Sequence, residues 1–152
     1  MTIKLLEGDI FSFTNAVLVV PVNTVGAMGS GLAYPFRERY PLMYNRYQAH
    51  CRSGKLKIGN LWLCTAYGDV EILCFPTKED WRDPARLYYV KMGLEKFVRE
   101  HKRFLGKTVV FPPLGCGHGG LAEADVIPIM QRVLKPISHR VNIIILTKWR
   151  RA

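Results

Sequence analysis

Pro112-Pro113-Leu114-Gly115-Cys116-Gly117-His118-Gly119-Gly120-Leu121 is the stretch from which the rest of the chain can be placed. The apolar run Thr108-Val109-Val110-Phe111 before it reads as a short buried strand. Ala122 to Leu134 behind it reads as an amphipathic helix. The order is strand, glycine loop, helix. Such an order aims backbone N–H groups and a helix N-terminus at one spot, which suits an anion such as a phosphate. Four glycines within six residues let the backbone approach a ligand closely. A plain strand-to-helix turn would need fewer. No Gly-Lys-Ser/Thr follows, so this is not a Walker A loop, and its late position argues against a dinucleotide fingerprint.

The same arrangement occurs earlier. Ala16 to Val22 is an unbroken apolar run, typical of a strand covered on both faces. Asn23 closes it, the loop Thr24-Val25-Gly26-Ala27-Met28-Gly29-Ser30-Gly31 follows, and a helix begins near Leu32. Two such loops at the carboxyl ends of adjacent strands face each other where α/β sheets bind ligands. Around this pair the other elements fall into place. Thr2 to Leu6 is a first strand, ending in the turn Glu7-Gly8-Asp9-Ile10. Pro41 opens a helix to about Cys51, whose Tyr44 and Tyr47 share a face and are assigned to packing. Leu61 to Thr65 and Val70 to Phe75 form a hairpin through Ala66-Tyr67-Gly68-Asp69. A polar loop from Pro76 to Pro84 carries Trp81 at its centre. Ala85 to about Lys102 is helical: Leu87, Val90, Leu94 and Phe97 make an apolar stripe, and Arg86, Lys91, Lys96, Arg99 and Lys102 a basic outer face. Val141 to Thr147 is the last strand, followed by the basic tail Lys148-Trp149-Arg150-Arg151. The fold class is α/β, a mixed central sheet of about six strands sandwiched between helices. One domain is expected over residues 1–152.

Composition narrows the partners. Twenty-two Lys and Arg stand against 12 Asp and Glu, a formal net charge of +10. A field of that sign attracts polyanions, so nucleic acid or a phosphate-bearing ligand is expected; a solubility surface is the plain alternative. No apolar run reaches membrane-spanning length, and no signal peptide or membrane partner is expected. Cys51, Cys64, Cys74 and Cys116 are scattered, without metal-ligand spacing. Free thiols in a reducing cytoplasm, no metal and no cofactor are the expectations.

Gly8-Asp9-Ile10, Val22-Asn23, Gly29-Ser30-Gly31 and the late Pro113-Leu114-Gly115-Cys116-Gly117 occur in an order, across the whole chain, that resembles a macro domain. More narrowly, Val22 to Ala33 and Phe75-Pro76-Thr77-Lys78 through Trp81-Arg82 are similar to the DarG branch of that family. These antitoxins remove ADP-ribose from thymidine in DNA and reverse the toxin DarT. Gly119-Gly120-Leu121 after the late loop fits the same branch.

The resemblance implies a macro-domain fold and an ADP-ribose site. Asp9 would accept the adenine amino group, with Ile10 beside the base; without the resemblance, Asp9 reads equally as a turn or cap acid. Asn23 would contact the distal ribose, or else satisfy its own backbone at the strand end. Gly29, Ser30 and Gly31, with Pro113, Leu114, Gly115, Cys116, Gly117, His118, Gly119, Gly120 and Leu121, would wrap the pyrophosphate. Lys78 would be the catalytic group, attacking the anomeric carbon to form a Schiff base, or donating a proton. Trp81 and Arg82 would hold the loop or contact DNA. Protein-directed relatives carry an aspartate directly after the late loop; here Ala122 stands there, and Asp125 is about one helical turn on. His118 is a further candidate acid or base, or an exposed loop residue.

The expected function is removal of ADP-ribose from single-stranded, thymidine-modified DNA. The partners are that DNA, ADP-ribose and a DarT-type toxin. The alternatives are a reader of ADP-ribose or a nucleotide signal without turnover, and a hydrolase of a small ADP-ribose derivative or of modified protein.

Overall fold

The computed structural model describes residues 3–148. The elements run β1 (Ile3–Glu7), β2 (Ala16–Val22), α1 (Ala33–Arg39), α2 (Pro41–Arg52), β3 (Trp62–Cys64), β4 (Val70–Pro76), α3 (Leu87–Arg99), β5 (Thr108–Phe111), α4 (Glu123–Leu134) and β6 (Asn142–Thr147). The strands form one sheet in the order β1-β6-β5-β2-β4-β3. Neighbours pair in parallel except β3 with β4, which are antiparallel, so the sheet is mixed as the hairpin implied.

β2 explains the architecture. Side chains alternate across a strand, so an unbroken apolar run needs cover on both faces. Val17 and Val19 join one core with α3 and α4, where Leu94, Phe97, Val126 and Met130 are buried. Leu18 and Val20 join a second core with α1 and α2, where Phe36, Met43 and Tyr47 are buried. The sheet is therefore sandwiched between two pairs of helices.

The chain moves from β2 to β4 and β3 on one side, then returns to build β5 and β6 on the other. Strand order thus reverses between β2 and β5, the place where open α/β sheets accept ligands. The two strands pair only over Ala16–Leu18, whereas β2 stays with β4 through Val22. Pro21 falls where β5 has already departed, so its missing N–H breaks no ladder there. Beyond Leu18 the strands part, and each leads into its glycine loop.

Boundaries differ from expectation chiefly at α3 and β3, and elsewhere by a residue. The helix expected from Ala85 to Lys102 is Leu87–Arg99. Ala85 donates its N–H to Gly119 O at 2.9 Å, and Arg86 is extended, so the late loop holds the chain out of the helix. Past Arg99 the backbone tightens into a 3-10 turn, His101–Phe104, which leaves Arg86 and Lys102 off the helical face. The strand expected over Leu61–Thr65 shortens to Trp62–Cys64. Thr2 and the tail residues Trp149, Arg150 and Arg151 lie outside the described residues.

Candidate active site

The cleft opens where β2 and β5 part and, counting space open to solvent, holds about 830 Å³. Asn23, Gly29, Ser30, Gly31, Lys78, Trp81, Pro113, Gly115, Cys116, Gly117, His118 and Gly119 all line it. Asp9, Ile10, Arg82, Leu114, Gly120 and Leu121 stand outside the lining. Ile10 and Leu114 are fully buried, each in one of the two cores. Asp9 is exposed after β1, and its carboxylate accepts the Phe11 N–H at 2.9 Å, capping a short 3-10 turn.

Asn23 organises the first loop. Its Oδ1 accepts from the N–H groups of Val25 (3.2 Å), Gly26 (3.1 Å) and Ala27 (3.2 Å), while Nδ2 donates to Ala27 O at 2.7 Å. From α2, the buried Tyr47 hydroxyl reaches both Asn23 O (2.7 Å) and Oδ1 (2.9 Å). Burial pushes that phenol far above its usual range, so it remains a donor. Tyr47, assigned to packing from its spacing, thus also fixes the residue that shapes the loop. The pairing spans 24 positions of sequence, and no local pattern reveals it.

The late loop is shaped by close approach. A Cβ on Gly115 would lie 2.6 Å from Leu121 Cδ1, and one on Gly119 would lie 2.8 Å from Ala85 Cβ. Gly115 also takes φ +75°, a region that side chains disfavour. Among the described residues, the N–H groups of Ser30 and His118 make no hydrogen bond within the chain. Such unpaired donors on the cleft wall suit an anion. Burial, with Glu123 and Asp125 nearby, pushes the Cys116 thiol up to about 11, so it is neutral and a poor nucleophile at pH 7.

Lys78 stands on the third loop, which both glycine loops hold. Thr77 is buried; its N–H donates to Val22 O (2.9 Å) and its carbonyl accepts from Arg86 N (3.3 Å). Glu79 O accepts both Thr24 N (3.0 Å) and Thr24 Oγ1 (3.1 Å). The Lys78 Nζ donates to Trp81 O at 3.3 Å. Burial lowers its pKa below the ordinary lysine value, against an upward pull from Asp83 and Asp80. Trp81 is exposed on the rim, with the Arg82 guanidinium 5.2 Å from its ring centroid. Arg82 is itself paired with Asp80 (Nε–Oδ1 3.0 Å).

One carboxylate escaped the sequence reading. Ala122 sits at the N-cap of α4 without a side-chain cap, Asp125 lies off the cleft, and Glu123 lines it. Its Oε1 accepts the N–H of Lys148 at 2.8 Å. The only local signal was an acid one position beyond the expected one. Among the described residues, no group of three His, Cys, Asp or Glu is placed to hold a metal ion.

The model of the Macro domain family matches residues 19–130. The chain belongs to the macro domain family. This macro domain is 38% identical over 123 residues to the DNA ADP-ribosyl glycohydrolase of Mycobacterium tuberculosis, a match covering 79% of this chain and 35% of that protein. The chain therefore spans little more than a third of that relative. Among solved structures it is similar to the macrodomain of Mycobacterium tuberculosis DarG, with TM-score 0.87 and 34% identity, over 95% of this chain and 97% of that one. It is also similar to Thermosipho africanus DarTG in complex with ADP-ribose, with TM-score 0.85 and 32% identity, over 99% of this chain and 43% of that one. The macro-domain fold that the resemblance implied is the fold observed.

Proposed function

We propose that this macro domain removes ADP-ribose from ADP-ribosylated DNA, with Lys78 as the catalytic residue. The observation that carries the reading is the placement of Lys78. Its half-buried amine, with a lowered pKa, lines a cleft whose opposite walls are two glycine loops offering backbone donors. The names of the relatives, DNA ADP-ribosyl glycohydrolase and a DarTG bound to ADP-ribose, support the substrate and the product.

In this reading the loops hold the pyrophosphate and fix the distal ribose, so the reaction is largely one of positioning. The neutral amine of Lys78 attacks the anomeric carbon. A carbon–nitrogen bond forms, the bond to the base breaks, and the base leaves with a proton. Ring opening gives a Schiff base; one water then hydrolyses it, releasing ADP-ribose and restoring the amine. No metal or cofactor enters. A DarT-type transferase would supply the modified DNA, and a reducing cytoplasm suits the four free thiols.

The test is a turnover assay on ADP-ribosylated single-stranded oligonucleotide. Lys78→Ala abolishes release of ADP-ribose while binding free ADP-ribose nearly as the wild type does. Unchanged turnover in that variant would remove Lys78 from the mechanism.

A further inference from the structure

Behind the wall that carries Lys78 lies a second groove, with about 870 Å³ of solvent-open space. Thr24, Lys57, Glu79, Tyr88, Tyr89 and Met92 line it. The wall between groove and cleft is thin and made of two strands of chain. Asn23 and Lys78 face the cleft, and their next neighbours, Thr24 and Glu79, face the groove. The backbone bond from Thr24 N to Glu79 O (3.0 Å) joins the two segments. Cleft and groove therefore adjoin across that wall, one residue apart along each segment.

The groove has the chemistry of a nucleotide site. Tyr88 is 68% exposed, more than any other large hydrophobic residue described. Its ring centroid is 6.5 Å from that of Tyr89, and the Arg86 guanidinium lies 5.9 Å from the Tyr89 centroid. Lys57 lines the groove as well, and among the described residues it forms no ion pair. The lining carboxylate, Glu79, already accepts the Tyr89 hydroxyl proton at 3.0 Å, which fixes the second ring. An exposed aromatic ring beside an unneutralised cation is the combination that holds single-stranded nucleic acid: bases stack, and phosphates meet lysine or arginine.

We propose that this groove is a second subsite, which stacks a base adjoining the modified nucleotide on Tyr88 and takes its phosphate on Lys57. The proposal rests on DNA as the substrate. Its test compares an ADP-ribosylated mononucleoside with the same modification inside a short single-stranded oligodeoxynucleotide. Wild type prefers the oligonucleotide in kcat/KM. Tyr88→Ala lowers kcat/KM for the oligonucleotide by about tenfold and leaves the mononucleoside and free ADP-ribose affinity unchanged, while Tyr88→Phe retains the preference. Lys57→Ala weakens binding and reduces the slope of log affinity against log salt by about one. Equal wild-type kcat/KM on both substrates, or a Tyr88→Ala variant with an intact preference, overturns the subsite and leaves the activity standing. A wild type that releases ADP-ribose from neither overturns the activity and the subsite with it.

Discussion

Lys78 is held between opposed influences, and their balance gives its reactivity a direction. Burial on the cleft wall lowers its pKa, while Asp83 and Asp80 raise it. A nucleophilic amine must be neutral, and the neutral fraction grows as pH rises through the lysine's own pKa. The kcat is therefore expected to climb with pH and to level off below the range of an ordinary lysine. Asp83→Asn removes a carboxylate that favours the charged form, so the rising limb should move to lower pH. A kcat profile for both proteins measures this. A limb that stays in place, or falls with rising pH, would favour a proton-donor role instead. Asn23 shows what a residue-by-residue reading of the sequence can miss. Its type and position were legible, but not that its Oδ1 accepts from Val25, Gly26, Ala27 and Tyr47 and so shapes the first loop.

The glycine loops became legible as elements because each stands between an apolar run and a periodic helix. That pattern survives folding, since a strand covered on both faces has to be apolar throughout. What the pattern could not hold was the contact between loops. Ala85 reads as the start of a helix, yet it presses on the late loop at Gly115 and Gly119 and donates to Gly119 O. A tertiary bond thus overrides helical propensity for two residues. The same contact gives a prediction at this scale. Gly119→Ala would bring its Cβ to 2.8 Å from Ala85 Cβ, so the late loop and the Lys78 loop must move apart. Overpacking of this kind costs about 1–3 kcal/mol. Denaturant unfolding should show that loss, and calorimetry should show weaker ADP-ribose binding. A variant with wild-type affinity would mean that the loops adjust independently and that their contact does not set the width of the cleft.

Across the whole molecule, the +10 charge raises the expectation of a polyanionic partner without saying where one would bind. The structure distributes that charge unevenly. Between Thr24 and Gly68, Glu38 is the only acid, against Arg37, Arg39, Arg46, Arg52, Lys55 and Lys57. Most of these residues belong to α1, α2 and the turn that follows them, on the face opposite α3 and α4. The Trp81 loop, by contrast, answers Arg82 with Asp80. Electrostatic steering depends on the local field around the site, whereas solubility depends on the total. Two double reversals separate these contributions. Arg46→Glu with Arg52→Glu on α2, and Arg132→Glu with Lys135→Glu at the end of α4, each take the formal charge from +10 to +6. All four side chains are exposed, so neither pair disturbs a core. If DNA approaches over α2, the first pair slows association with a single-stranded oligonucleotide at low salt, and the difference closes as salt is added. The second pair then associates at close to the wild-type rate. Stopped-flow measurement over a salt series distinguishes the cases. Equal slowing by both pairs would mean that net charge alone draws the substrate in, and that the basic face of α1 and α2 serves solubility.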